Sequence, residues 1–388
     1  MKSLALDVVI FAPSPVGGLA EHTHYQAEAL HKAGVFVTVL TCSGYLAGRK
    51  TSYPTVGIFP SPDSAPGFIP KLLRMRALIR RYKLLSRWLG RHPCRILLLE
   101  SYAEYFSPLW VRHLAGIRKR GVMIGANLHD PIRDYRIGPP WWHDWSVHLA
   151  YRDLSFGLCH QNLPESAMVP RHIRIYTVPV GVYQSPAADV DPRSAREALG
   201  LPADKRIILS FGFLRDNKNL DFFIRAMPAA EDVYLVVAGR HQSAKDRPVN
   251  YYMKIASECG VDGRIRFDSD FIPDDRIPLY FAACDVVLLT YDSTFRSQSG
   301  VLNVAACYRK PVLASSGESP LRDSVRNFHL GHFVDPDCEV ALRDALGTPI
   351  DPGACDWDGY FRYASWDTNV APIIQLLNHL KNQDDEKV

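Results

Sequence analysis

Residues 207–226 read IILSFGFLRDNKNLDFFIRA. An apolar run, Ile207–Phe211, ends at Gly212. A short polar loop then carries Arg215 and Lys218, and Leu220–Ala226 returns to apolar positions at helical spacing. A continuous β-rich run that turns into a helix within a few residues is the repeating unit of a parallel sheet covered on both faces. The unit recurs in both directions along the chain. Further strand-like runs are Val8–Ala12, Val35–Thr41, Ile96–Leu99, Val122–Asn127, Tyr234–Ala238, Ile265–Phe267, Val286–Thr290 and Pro311–Ala314. Helical segments lie among them at Glu21–Ala33, Lys71–Leu89, Leu109–Lys119, Asn250–Cys259, Arg276–Ala283 and Val301–Cys307. This alternation predicts an α/β chain of doubly wound topology.

At 388 residues the chain exceeds one typical core and suits two domains. The strand–helix pattern restarts near residue 205, after the linker-like YQSPAADVD of Tyr183–Asp191. The expected division is 1–190, 191–365 and a terminal segment, 366–388. That segment holds a helix around Asn369–Leu380, expected to pack back towards the N-terminal domain. Hydrophobic residues make up 47% and charged residues 22%, as in globular domains. The eight cysteines form no CxxC pair, several fall in apolar runs, and they read as reduced and buried. A net charge of +4 gives no footprint for nucleic acid. No apolar stretch reaches the ~20 residues needed to cross a bilayer. The start MKSLALDVVIFAP, broken by Asp7, reads as a first strand rather than a leader, and a cytoplasmic location is expected.

Four places could carry chemistry. The first strand runs into PSPVGGLAEH, with Gly17 and Gly18 at the carboxyl end of a strand, where open α/β sheets bind ligands. A plain tight turn explains the same pair. In ANLHDP, His129 and Asp130 follow another strand, where a His can reach a hydroxyl or a phosphate. It can equally cap the strand. Arg215 and Lys218 suit a diphosphate, Arg through its planar fork and Lys as a point charge. Two solvated cations are the alternative. Finally, Ser297, Gln298, Ser299 and Gly300 precede an apolar helix, whose first N–H groups and dipole favour an anion. An ordinary serine N-cap reads the same.

Together these features resemble the retaining glycosyltransferases of the GT-B fold, family four in particular, over roughly residues 5–370. The GG loop looks like Gly17–Gly18, the His after a strand like His129, and the paired cations of the second domain like Arg215 and Lys218. The stretch 265–291, IRFDSDFIPDDRIPLYFAACDVVLLTY, and the VPVGVY of 178–183 are similar to further family segments. The resemblance implies two Rossmann-like domains with a deep cleft between them. It implies a retaining hexosyltransferase that moves a sugar from a UDP- or GDP-sugar to an acceptor hydroxyl, in cell-surface polysaccharide or glycoconjugate assembly. His129, Arg215 and Lys218 are the implied catalytic residues. Gly17, Gly18, Gly212, Asp270, Phe271, Ile272, Ser297, Ser299, Gly300, Val301 and Asn303 are the implied donor contacts. Glu21, His22 and Asp130 face the acceptor, a sugar or lipid-linked sugar. No cofactor and no metal are implied.

One departure marks the chain as a divergent branch. The family's E-x7-E positions fall on Phe295 and Asn303, and neither is acidic. Asn303 can still hydrogen-bond a ribose hydroxyl, and Glu318 is a spatial candidate for the other role. The DSD of 268–270 has a metal-binding form but sits in the base-binding loop. Two other classes stay open. One is a non-catalytic nucleotide-sugar-binding relative, suggested by the missing glutamates. The other is a sugar-nucleotide epimerase of the same shape, which needs cleft carboxylates. In Lys71–Arg91, Leu72, Met75, Ile79, Tyr82, Leu85 and Leu89 form one stripe and Arg76, Arg80, Lys83 and Arg87 another. Such a helix either lies on an anionic membrane, here the inner face of the cell membrane, or packs in the core with its cations in water. The aromatic run Pro139–Trp145 suits an interface, a sugar or a packing cluster.

Overall fold

The structure is a computed structural model that describes residues 6–46, 49–60, 71–129, 131, 136, 138–161, 163, 167–183, 190–241, 243 and 246–385. The chain divides into two units. The first takes Met1–Gly181 and Ser365–Val388, the second Val182–Ala364. The division thus falls at Gly181, a few residues before the linker-like stretch, most of which lies outside the described residues. The terminal helix, Trp366–Asp385, belongs to the first unit.

The N-terminal sheet is built from β1 (Leu6–Ala12), β2 (Val37–Cys42), β3 (Thr55–Phe59), β4 (Cys94–Leu99), β5 (Met123–Leu128), β6 (Phe156–Cys159) and β7 (Arg174–Thr177). Its order is β3-β2-β1-β4-β5-β6-β7, and every described pairing is parallel. The C-terminal sheet is built from β8 (Arg206–Phe211), β9 (Val233–Ala238), β10 (Ile265–Asp268), β11 (Val286–Thr290), β12 (Val312–Ser315) and β13 (Gly331–Phe333). Its order is β10-β9-β8-β11-β12-β13, again parallel throughout. Both sheets carry the 3-2-1-4-5-6 progression of the doubly wound fold. The progression reverses between β1 and β4 and between β8 and β11. At such a point the loops leave in opposite directions and open a crevice beyond the strand ends.

Helix Lys71–Arg91 buries Tyr82, Leu85 and Leu89 in the core of the first unit, where Tyr82 stacks on Trp110 at 4.2 Å. Arg76, Arg80, Lys83 and Arg87 all remain exposed on its other side. Its apolar stripe is therefore a domain face, and its cations form a separate solvent-facing row. Trp366, at the start of the terminal helix, stacks on Tyr25 and closes over Gly181. A Cβ at Gly181 would lie 2.4 Å from the indole. All eight cysteines are free thiols.

Two glycines hold the ends of β8 and β9 together. Gly239 has φ +141°, and a Cβ there would meet the Gly212 carbonyl oxygen at 2.1 Å. The obstacle is main chain, so no side-chain rotation relieves it. Gly239→Ala is therefore expected to cost about 1–3 kcal/mol, as overpacking does. A lowered denaturation midpoint in urea checks this, and an unchanged midpoint would contradict the close approach.

Candidate functional site

In the C-terminal unit the chemistry gathers beyond β8 and β11. The chain leaves β8 at Gly212, whose φ of +87° is the left-handed region that favours glycine. Two neighbours lie against this turn: a Cβ would stand 3.7 Å from Val301 Cγ2 and 3.8 Å from Lys218 Nζ, ordinary contact distances, so the backbone angle rather than space calls for glycine. Lys218 is set by a short turn, Asp216–Lys218, that ends in Asn219 at φ +49°. Asn219 is buried, and its Nδ2 donates to Asp337 at 2.8 Å, fixing the turn. The Lys218 ammonium donates to the Phe211 carbonyl at 2.8 Å. Burial, helped by the charge of Arg215, pushes Lys218 down to about 7. It is thus a cation poised to be fixed in its charged form by an arriving anion.

Beside it, helix Gly300–Cys307 begins with no side-chain cap on its first N–H groups. Ser299 is buried and engages the Tyr291 hydroxyl at 3.0 Å instead. Gly300 is exposed. An uncapped helix start beside a lysine is an arrangement suited to phosphate.

The arginines form the outer layer. The Arg215 guanidinium lies 5.9 Å from the centre of the Phe213 ring. Arg240, from the end of β9, lies 5.8 Å from Phe213 and 5.5 Å from Phe271. Phe213 and Phe271 are both exposed aromatics. The loop after β10 thereby connects to the cation cluster through Arg240. Sequence reading missed Phe213 and Arg240. Asp270 is exposed, and Ile272 packs partly into the core. Asp268 is engaged by Arg266 at 2.9 Å and by the Tyr280 hydroxyl at 2.7 Å, so the DSD triplet does not act as a pair of free carboxylates.

The positions of the missing glutamates are filled in two ways. Phe295 stacks on Tyr291 at 3.8 Å. Asn303 is fully buried, its Oδ1 accepting from the Tyr360 hydroxyl at 2.7 Å. Expected to meet a ribose, Asn303 is instead buried in the core, with no exposed surface, beside Tyr360. Glu318 is exposed and faces Arg322, a helical turn away. Ser297 is half-buried.

The N-terminal unit carries a second cluster. Gly17 caps helix Gly18–Lys32 at φ +85°, ψ −173°, a region open essentially to glycine alone, and both glycines are exposed. Glu21 is paired with Arg49 at the surface. His22, expected to face the acceptor, is instead buried at 2% exposure, because helix geometry turns it inward towards the ends of β4 and β5. Asp130 lies outside the described residues. The centre of the cluster is Glu100, directly after β4 and 1% exposed. Oε1 accepts from His129 Nε2 at 2.9 Å, and His22 Nδ1 lies 3.1 Å from the same oxygen. Oε2 accepts from Asn127 Nδ2. Gln26 then joins Asn127 to Asn369, and Asn369 donates to the Pro179 carbonyl. Burial alone would raise Glu100, but His22 and His129 overcome it and hold the carboxyl well below its usual range. His160 follows β6 and donates from Nδ1 to the Val178 carbonyl at 3.1 Å. Burial and the two neighbouring histidines push it down to about 3, so its ring is neutral. Glu100, Gln26, Asn127 and His160 were not singled out from sequence. The available signal was a polar residue closing an apolar run, ILLLE at 96–100 and FGLCH at 156–160.

Residues 191–347 match the family described as glycosyl transferases group 1, and residues 16–180 match Glycosyltransferase Family 4. The chain belongs to the group 1 glycosyltransferases. A D-inositol 3-phosphate glycosyltransferase of Acidothermus cellulolyticus is 28% identical over 188 residues, which cover 46% of this chain and 41% of that one. Its Mycobacterium bovis counterpart is 29% identical over 137 residues, 35% of this chain and 28% of that protein. This group 1 glycosyltransferase thus matches less than half the length of these curated relatives. Over the whole fold it is similar to sucrose-phosphate synthase from Thermosynechococcus elongatus. The TM-score is 0.68 at 16% identity, covering 97% of this chain and 100% of that one. It is similar too to the Anabaena protein HepE, solved with UDP and glucose. There the TM-score is 0.66 at 18% identity, covering 97% and 100%. Both share the GT-B fold of two Rossmann-like domains.

Removing the Glu100 charge leaves His22, His129 and Asn127 without their common partner. Glu100→Gln is expected to cost about 3–5 kcal/mol, the range for breaking a buried ion pair. Because the folded carboxyl sits below its ordinary 4.5, that difference is full above pH 4.5 and shrinks as pH falls towards the depressed value. Urea unfolding of both proteins at pH 7 and pH 4 measures it. Equal stability at pH 7 would refute the assignment.

Proposed function

We propose that this glycosyltransferase moves a sugar from a UDP- or GDP-sugar to an acceptor hydroxyl with retention, as a hexosyltransferase. The observation that carries the reading is the meeting of Lys218, the Gly212 turn and the uncapped start of helix Gly300–Cys307 at one spot beyond β8 and β11. Lys218 and Arg215 neutralise the diphosphate as it leaves. Charge on that group grows in the transition state, so fixed cations stabilise it more than the ground state. N–H groups at Ser299, Gly300 and Val301 add to the same effect. Phe271 and Arg240 present a flat face to the base. HepE, similar over the whole fold, holds UDP and glucose, which supports a nucleotide-sugar donor here. No residue of this grip is a metal ligand, and the transfer is proposed to run without one.

The N-terminal unit takes the acceptor, while Gly17 and Gly18 admit a close backbone approach to the donor phosphates. His129, fixed through Glu100, contacts the transferred sugar. The exposed row Arg76, Arg80, Lys83 and Arg87 suits an anionic membrane surface at the inner face of the cell membrane. Each cation near such a surface contributes about 1 kcal/mol. That row favours a lipid-linked acceptor and a role in polysaccharide or glycoconjugate assembly. A second reading rests on Phe295 and Asn303. With a stacked ring and a buried amide at the glutamate positions, the chain is a nucleotide-sugar binder without turnover.

Turnover separates the two. The protein is incubated with UDP- and GDP-sugars, without added metal, with and without a polyprenyl-linked sugar extract, and release of nucleoside diphosphate is measured. Release from one donor, raised by acceptor and lowered at least about 100-fold in Lys218→Ala, is expected, the scale for losing one electrostatic contact to the transition state. Undiminished turnover in Lys218→Ala would remove the diphosphate assignment. Nucleotide binding with no release under any condition would establish the binder.

A further inference from the structure

Three histidines in the N-terminal unit reach the same point from three elements. His22 comes from helix Gly18–Lys32, His129 from the end of β5 and His160 from the end of β6. One ring nitrogen from each lies within 4.8 Å of the others. The rings pack edge to face and tilted, with centroids 4.8 Å apart for His22–His129 and 5.5 Å for the other two pairs.

Ordinary packing does not account for the nitrogens. His22 and His160 are both buried, and among the described residues neither His22 Nε2 nor His160 Nε2 makes a hydrogen bond. Nδ1 of His22 is near Glu100 but off the line of a hydrogen bond. Buried polar atoms without partners are rare and call for a cause. His160 also has its tautomer fixed. Nδ1 donates to the Val178 carbonyl, so Nε2 carries a lone pair, and it is buried without a partner among the described residues. That is how proteins prepare a metal-ligating imidazole. The carboxylate of Glu100 supplies an anionic oxygen 2.9 Å from His129 Nε2 and 3.1 Å from His22 Nδ1, and Asn127 and Gln26 hold it from behind.

We propose that His22, His129, His160 and Glu100 bind one divalent transition-metal ion of the Zn2+ class. Three neutral imidazoles, with the Glu100 carboxylate beside two of them, offer the nitrogen and oxygen ligands suited to that ion. In a tetrahedral zinc shell, with bonds of about 2.0–2.1 Å, neighbouring ligand atoms stand about 3.4 Å apart. The 4.8 Å spread therefore closes by about 1.4 Å as the rings turn inward. The metal takes the place of the proton now shared between His129 and Glu100. The site uses residues of the N-terminal unit alone and does not rest on the transfer reaction.

The test is made on the full chain, stripped with chelator and free of donor. Titration with Zn2+ by calorimetry is expected to show one ion per chain, and Co2+ to give the intense visible absorption of a tetrahedral complex. His160→Ala is expected to weaken binding at least 100-fold while circular dichroism stays unchanged. Should that variant fail to fold, His22→Gln provides the same loss from another element. Absence of Zn2+ binding to the wild type, or wild-type affinity in a folded His160→Ala or His22→Gln, would overturn the site. Neither result bears on nucleotide release, which is measured separately.

Discussion

A parallel strand buried on both faces has nowhere to place a reactive group except beyond its ends. That constraint organises this chain. In the N-terminal sheet the strand order turns between β1 and β4, and in the C-terminal sheet between β8 and β11. Gly17 and Gly18 follow β1, and Glu100 follows β4. Gly212 and Lys218 follow β8, and Tyr291 with Ser299 and Gly300 follows β11. Each unit therefore concentrates its polar groups at the switch point that its own topology creates.

The two clusters use this position differently. Beyond β8 the groups are incomplete alone: a lysine depressed towards 7 by burial, an arginine outside it, and helix N–H groups without a cap. They are arranged for a charge that has yet to arrive. Beyond β4 the charge is already present. Glu100 is buried, ionised and shared among His22, His129 and Asn127. One cluster is cationic and is proposed to receive an anion, and the other is an anion with its own cage.

Much of this was legible in the sequence. Strands buried on both faces announce themselves as apolar runs, which is why β1, β4, β8, β9 and β11 were read. Of the four edge strands only β10 was read, as Ile265–Phe267. β3 alternates between exposed and covered residues, β7 is exposed at both ends, and β13 has three residues. β6 escaped because Gly157 interrupts it, yet Leu128 and Ile175 need that glycine in order to pack. Lys218, Gly212 and Gly300 were readable because loop chemistry is local in sequence. Glu100 and His160 were not, since a single polar residue after a strand means little until folding brings β4, β5 and β6 side by side. Asn303 shows the converse. Its position in a motif suggested a ligand contact, and only the fold places Tyr360 against it.

We propose that the groups beyond β8 and β11 receive a nucleoside diphosphate. Hydrogen exchange of backbone amides, followed with and without saturating UDP or GDP, tests it most directly. Slowed exchange is expected in Gly212–Asn219 and Ser299–Asn303, where phosphate oxygens occupy the free N–H groups, with any further protection at the base near Arg240 and Phe271. Binding that leaves both segments unprotected, with protection appearing elsewhere in the chain, would contradict it.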